Sequence, residues 1–141
     1  LFESYIATLL KKKLGLTEFS VSAQDKSYHL FDEPGRKFLM RPDIVVKRKS
    51  DGAIFILDTK WKVLSDKKIN YGISQPDMYQ MYAYQKKYNA QNVTLLYPKT
   101  ENVSPDKKIK FTSKDKVTVQ VNFVDLLNIE SMDFEILLKE S

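Results

Sequence analysis

The sequence predicts a mixed α/β domain, in which helices pack on a central sheet. Three observations carry that expectation. Apolar residues recur at helical spacing over residues 1–13, and a second helix signal opens at residue 74. Runs with strand character lie between and after these helices. One such run, 53–61, is apolar on both faces, with Ile54 and Ile56 on one and Phe55, Leu57 and Trp61 on the other. That pattern marks a central strand covered on two sides. Helix, strands, helix, strands is the order of a layered domain.

Phe2, Ile6, Leu9 and Leu10 form the stripe of the first helix, and Gly15 supplies its stop. Residues 17–31 alternate loosely, as a strand or ragged hairpin. Two stronger strands are expected over 37–49 and 53–64. Between them, Asp51-Gly52 is a hairpin signal. After a polar stretch over 65–72, Ser74-Gln75-Pro76-Asp77 reads as a capped helix start, with the helix running to about Tyr88. Strands are then expected over 93–97, 108–112 and 117–124, and a short helix over 131–139.

The chain has 141 residues, one domain's worth, with 43% hydrophobic and 29% charged residues. Collagen-like, low-complexity and wholly disordered chains are excluded. No apolar run is long enough to span a membrane as a helix. There is no Cys, so thiolate nucleophiles and zinc–thiolate sites are ruled out, and a cytoplasmic setting is expected. The single His29 excludes any site needing two imidazoles, and is read as a structural or surface residue. A net charge of +5 is compatible with a polyanionic partner. The chain opens Leu1-Phe2-Glu3 without Met or a signal peptide. We expect a single domain over 1–141, the C-terminal fragment of a longer chain.

The chemistry concentrates in the hairpin. Strand periodicity places Asp58 and Lys60 on one face. A turn centred on Asp51-Gly52 sets Asp43 opposite Lys60, and one centred on Ser50-Asp51 sets it opposite Asp58. Either register gathers Asp43, Asp58 and Lys60. Charges in so apolar a strand must pair or bind a metal. Two carboxylates with water and a phosphate oxygen suit Mg²⁺. An ordinary Asp–Lys ion pair at a strand end is the plainer alternative. The joint pattern, Pro-Asp, a short hairpin, then an apolar run into Asp-x-Lys, is far more specific than either tripeptide alone.

Pro42-Asp43 followed by Ile56-Leu57-Asp58-Thr59-Lys60 resembles the PD-(D/E)xK nuclease signature. With Arg41, with Trp61-Lys62, and with Asp77 to Tyr84 of the second helix, the chain is similar from Leu1 to about Tyr97 to the nuclease domains of the McrC family. These are endonuclease subunits of modification-dependent restriction systems. The resemblance implies a restriction-endonuclease-like fold, a mixed sheet flanked by helices. It implies Mg²⁺ (or Mn²⁺) held by Asp43 and Asp58, with Lys60 serving the attacking water. Glu3 is either a third metal ligand or a plain helix-dipole residue. Gln80 and Tyr84 match a Q-x-x-x-Y element that supports the site or touches DNA. From strand spacing, Lys62, two residues beyond Lys60 and on its face, is the best single phosphate contact. The implied partners are double-stranded DNA and a GTP-dependent AAA+ McrB-like motor. No P-loop motif is present in these residues. A nuclease of repair, recombination or transposition, or a non-catalytic nucleic-acid-binding module, is the alternative.

Overall fold

The computed structural model describes residues 1–15, 17–104 and 108–138. Six strands form one sheet: β1 (Phe19–Ala23), β4 (Ile44–Arg48), β5 (Ile54–Thr59), β6 (Asn92–Pro98), β8 (Thr118–Val124) and β7 (Ile109–Thr112), in that spatial order. The β1–β4, β4–β5 and β7–β8 pairs are antiparallel, whereas β5–β6 and β6–β8 are parallel. Strands β2 (His29–Phe31) and β3 (Lys37–Leu39) make a separate two-stranded ribbon.

Helix α1 (Phe2–Leu14) covers one face, where Ile6, Leu9, Leu10 and Leu14 pack on Phe19, Ile44, Val46, Phe55 and Leu57. Helix α2 (Gln75–Tyr88) covers the other, where Met81, Tyr84 and Tyr88 meet Val45, Ile56, Val93 and Leu95. Odd and even positions of β5 therefore feed different cores, as its doubly apolar sequence requires. The mixed sheet between helices is the architecture expected. No described helix is long and apolar enough to cross a membrane.

The helix signals are realised closely. The Ser74 hydroxyl accepts from the Asp77 backbone N–H at 3.2 Å, and Asn89 closes α2 in the left-handed conformation. Gly15 follows α1 without adopting a left-handed angle. Its role is steric, since a Cβ there would lie 2.4 Å from the Lys11 carbonyl oxygen.

Four expected elements differ. The single strand over 37–49 is two, β3 and β4, interrupted around Pro42, which lacks the N–H a ladder needs. Residues 17–31 do not pair with each other: β1 joins β4, and β2 joins β3. The strand expected to reach residue 64 ends at Thr59. The terminal helix is two 3-10 segments, Ile129–Ser131 and Phe134–Leu138, and its last expected residue, 139, lies outside the described residues.

Candidate metal and phosphate site

The β4–β5 register pairs Ile44 with Leu57 and Val45 with Ile56. Extended by one step it sets Asp43 opposite Asp58, selecting the turn centred on Ser50-Asp51. The Asp43 backbone N–H donates to Asp58 Oδ1 at 3.2 Å. Asp43 Oδ2 in turn accepts from both the backbone N–H and the hydroxyl of Thr59, each at 2.8 Å. The two carboxylates are thus locked by the strand ends that carry them. Lys60 Nζ lies 2.9 Å from Asp58 Oδ2 and 3.4 Å from Asp77 Oδ1, and donates to Gln80 Oε1 at 3.3 Å.

Both helices begin at this end of the sheet. Glu3 stands in the first turn of α1 and Asp77 in the first turn of α2. Glu3 reaches the cluster: its carboxyl comes within hydrogen-bonding range of Asp43, and Gln24 Nε2 donates to it. Burial first, then the charges of Asp43 and Asp58, raise the Glu3 pKa. Asp58 is only 2% exposed. Burial and the Asp43 charge push its pKa up to about 6, against the opposing pull of Lys60. Burial works against the Lys60 ammonium, but the hydrogen bond and charge of Asp58 and the charge of Asp77 outweigh it and raise its pKa. The two shifts agree physically: the ion pair favours both charges and burial opposes both, while the Asp43 charge penalises the carboxylate alone.

A plain ion pair would need one acid and one base. Here Asp58 and Asp77 share one amine, and Asp43 and Glu3 add like charge beside Asp58. Asp77, read from sequence as a helix-start residue only, is a second partner of Lys60; its place three residues before Gln80 on the same helix face was the available signal. Thr59 and Gln24 had no such signal.

Gln80 is exposed and holds Lys60. Tyr84 is buried against Tyr88, and burial and then the Asp58 and Asp43 charges push its phenol pKa up. Its hydroxyl takes a hydrogen bond from the Arg41 backbone N–H. Tyr97, at the end of β6, buries a hydroxyl with no hydrogen-bond partner among the described residues; burial, then the Asp77 and Asp58 charges, raise its pKa. Lys62 is exposed, and its backbone N–H turns back to the Lys60 carbonyl at 3.0 Å. Strand alternation, which was to place Lys62 on the face of Lys60, therefore does not reach it. Trp61, expected on a covered face, is 70% exposed for the same reason. His29 lies in the β2–β3 ribbon.

Most basic runs are far from the cluster. Lys11-Lys12-Lys13 and Lys86-Lys87 occupy the last turns of α1 and α2, at the opposite helix ends. Lys13 donates to the Glu130 carbonyl, and Lys86 and Lys87 pair with Asp115 and Asp32. Lys107 of a further basic run, with Lys108 and Lys110, lies outside the described residues.

The family model of the McrBC 5-methylcytosine restriction system component matches residues 1–98. Among solved structures, a chain in the refined half-complex of a tetradecameric assembly of Thermococcus gammatolerans McrB AAA+ hexamers with bound McrC superposes with a TM-score of 0.67 at 20% identity. The match covers 94% of the present chain and 29% of that one, so the sequence spans under a third of that protein's length. No curated protein matches.

Proposed function

Because the chain belongs to the McrBC 5-methylcytosine restriction system component family, we propose that it is the DNA-cutting module of such a system, a Mg²⁺-dependent endodeoxyribonuclease. The observation that supports this most is the convergence of Asp43, Asp58 and Lys60 at the carboxyl end of β5, with the Glu3 carboxylate beside them.

The donor set fits a hard divalent cation. Glu3 and Asp58, whose pKa values burial and neighbouring carboxylates raise, are relieved by positive charge placed beside them. Among the described residues, no three His, Cys, Asp or Glu side chains form a ready metal cage. Mg²⁺ or Mn²⁺ would be bound through one or two carboxylates, with water and a substrate phosphate completing the shell. Asp43 and Asp58 would hold the ion, with Glu3 as third ligand or through water. Bound there, it would supply a polarised water and neutralise charge at phosphorus.

The chain's own residues do the rest. Thr59 fixes the Asp43 carboxylate, and the Asp43 N–H fixes that of Asp58. Lys60, an ammonium between Asp58 and Asp77, can only donate, so it orients the water or steadies charge on the phosphoryl oxygens. Gln80 and Asp77 hold that amine in place. Tyr84 is buried close enough to Asp58 and Asp43 to feel their charge, and would support the site from α2. Hydrolysis adds one water across a P–O ester bond, its oxygen to phosphorus and a proton to the leaving oxygen. Lys62 supplies a sequence-blind phosphate contact. The partners in this reading are double-stranded DNA and a GTP-driven McrB-like AAA+ ring.

The test is Asp58→Ala and Lys60→Ala in the full-length protein with its motor. Both variants should keep their circular dichroism and lose Mg²⁺-dependent plasmid cleavage by about 10³-fold or more. Cleavage at the wild-type rate by both overturns the assignment.

A further inference from the structure

Tyr97 carries a polar group that no step of the proposed reaction uses. The parallel β5–β6 register pairs Asp58 with Leu95 and Thr59 with Leu96, and the Lys60 N–H still donates to the Leu96 carbonyl at 2.9 Å. One step further along, Tyr97 stands beside Lys60, and strand alternation puts its ring on the α2 side of the sheet with Asp58. There it packs in one core with Met81, Tyr84 and Leu95, its ring centroid 6.4 Å from that of Phe123. The side chain is 0% exposed, yet its hydroxyl has no hydrogen-bond partner among the described residues. Phenylalanine would fill the same space without stranding a donor. A hydroxyl held in such a place calls for a partner.

The surroundings narrow the choice. The charges that bear on this hydroxyl are those of Asp77 first and Asp58 second. Both are acceptors, and a phenol beside them keeps its proton and donates it. Asp58 is already fixed by the Asp43 N–H and by Lys60 at 2.9 Å, whereas Asp77 touches Lys60 more loosely, at 3.4 Å. The Asp77 side chain is also 25% exposed, against 3% for Asp58, so water reaches it. A trapped water needs about two to four polar partners, and Tyr97 and the two carboxylates supply them. We propose that Tyr97 is a positioning residue of this site, its hydroxyl holding the Asp77 carboxylate through one bridging water and so fixing where the Lys60 amine points. The proposal rests on the nuclease reading of the cluster. In that reading Asp58 serves the cation, which leaves Asp77 and Gln80 to aim the amine at the reacting groups.

The test places Tyr97→Phe in the wild-type and Asp77→Asn backgrounds of the full-length protein with its motor. In the wild-type background it should lower kcat for Mg²⁺-dependent plasmid cleavage by about 10- to 100-fold, the worth of one hydrogen bond to a charged group, with KM for DNA unchanged. In Asp77→Asn it should cost no further activity. Melting of the full-length protein without metal or DNA is a readout independent of cleavage. There Tyr97→Phe should lower the melting temperature, and should do so less in Asp77→Asn. Wild-type kcat in Tyr97→Phe, an equal loss in both backgrounds, or a melting temperature that Tyr97→Phe raises, the mark of an idle hydroxyl, overturns the proposal. Failure of the nuclease reading shows separately, as Mg²⁺-dependent cleavage that survives Asp58→Ala, and the melting comparison then decides the link between Tyr97 and Asp77.

Discussion

The molecule contains two antiparallel hairpins in one sheet, β4–β5 and β7–β8, and only the first carries the acid cluster. Each is closed by a short polar turn containing an Asp. Their positions differ. Strand β5 lies between β4 and β6, and its residues from Phe55 to Asp58 are all buried. Strand β7 is the sheet edge and alternates buried with more exposed residues. At the edge, water solvates Asp115 and the salt bridge it makes with Lys86 is a surface pair of small worth. In the centre, Asp58 has no water to fall back on, and its charge stays only because Lys60, the Asp43 N–H and, in our proposal, a cation answer it. The same residue type is solvated on one hairpin and buried among charges on the other.

The largest contrast should come from core truncation. Ile56→Ala, in the buried centre of β5, should cost about 2–5 kcal/mol. Phe111→Ala on β7, only partly buried, should cost ~1–2 kcal/mol. Urea unfolding of the two variants checks the order, and equal losses would remove the distinction between centre and edge.

The second contrast is in the sign of a pH effect. Asp58 has its pKa raised in the fold, so in chelated, metal-free protein its stabilising contribution is complete below about pH 3.8 and is lost as pH rises through about 6. Asp115 is the reverse, because hydrogen bonds from Ser113, Tyr82 and Lys86 lower its pKa. Its contribution is present above the ordinary Asp value and is lost as pH falls. Asp58→Asn should therefore stabilise metal-free protein at pH 7.5 by on the order of 2 kcal/mol, whereas Asp115→Asn should lower the melting temperature slightly. Added Mg²⁺ should shrink the Asp58→Asn advantage by stabilising the wild type. Melting curves at pH 5 and 7.5, with and without the metal, read all three.

The smallest contrast is in the turns. Gly52 holds φ near +75°, so Gly52→Ala should cost about 1 kcal/mol. Lys116 in the other turn holds φ near +68° with a side chain, so Lys116→Gly should gain about 0.5 kcal/mol. Thermal shifts of opposite sign are the expected result.

Much of the site is legible along the chain because its parts are local to one hairpin. The Asp-x-Lys spacing puts Asp58 and Lys60 two residues apart, and Asp43 falls opposite one or the other whichever turn closes the loop. Lys62 and Trp61 were misplaced because period-2 alternation was continued past the point where pairing stops. Beyond Thr59, only the Lys60 N–H still bonds to β6, through the Leu96 carbonyl, and then the backbone turns. Pro42 likewise split a run that composition alone made continuous.

Sequence by itself determined the helix stripes, the capped start of α2, the doubly buried strand and the spacing of the acid and amine on it, because each depends on residues within a few positions of one another. Tertiary structure decided the register that sets Asp43 against Asp58. It also brought Glu3 of α1 and Asp77 of α2 to the same strand end and left the Trp61 indole exposed. Those juxtapositions join residues tens of positions apart. They are chosen by how two helices cover opposite faces of one sheet, a packing free energy that no local pattern contains.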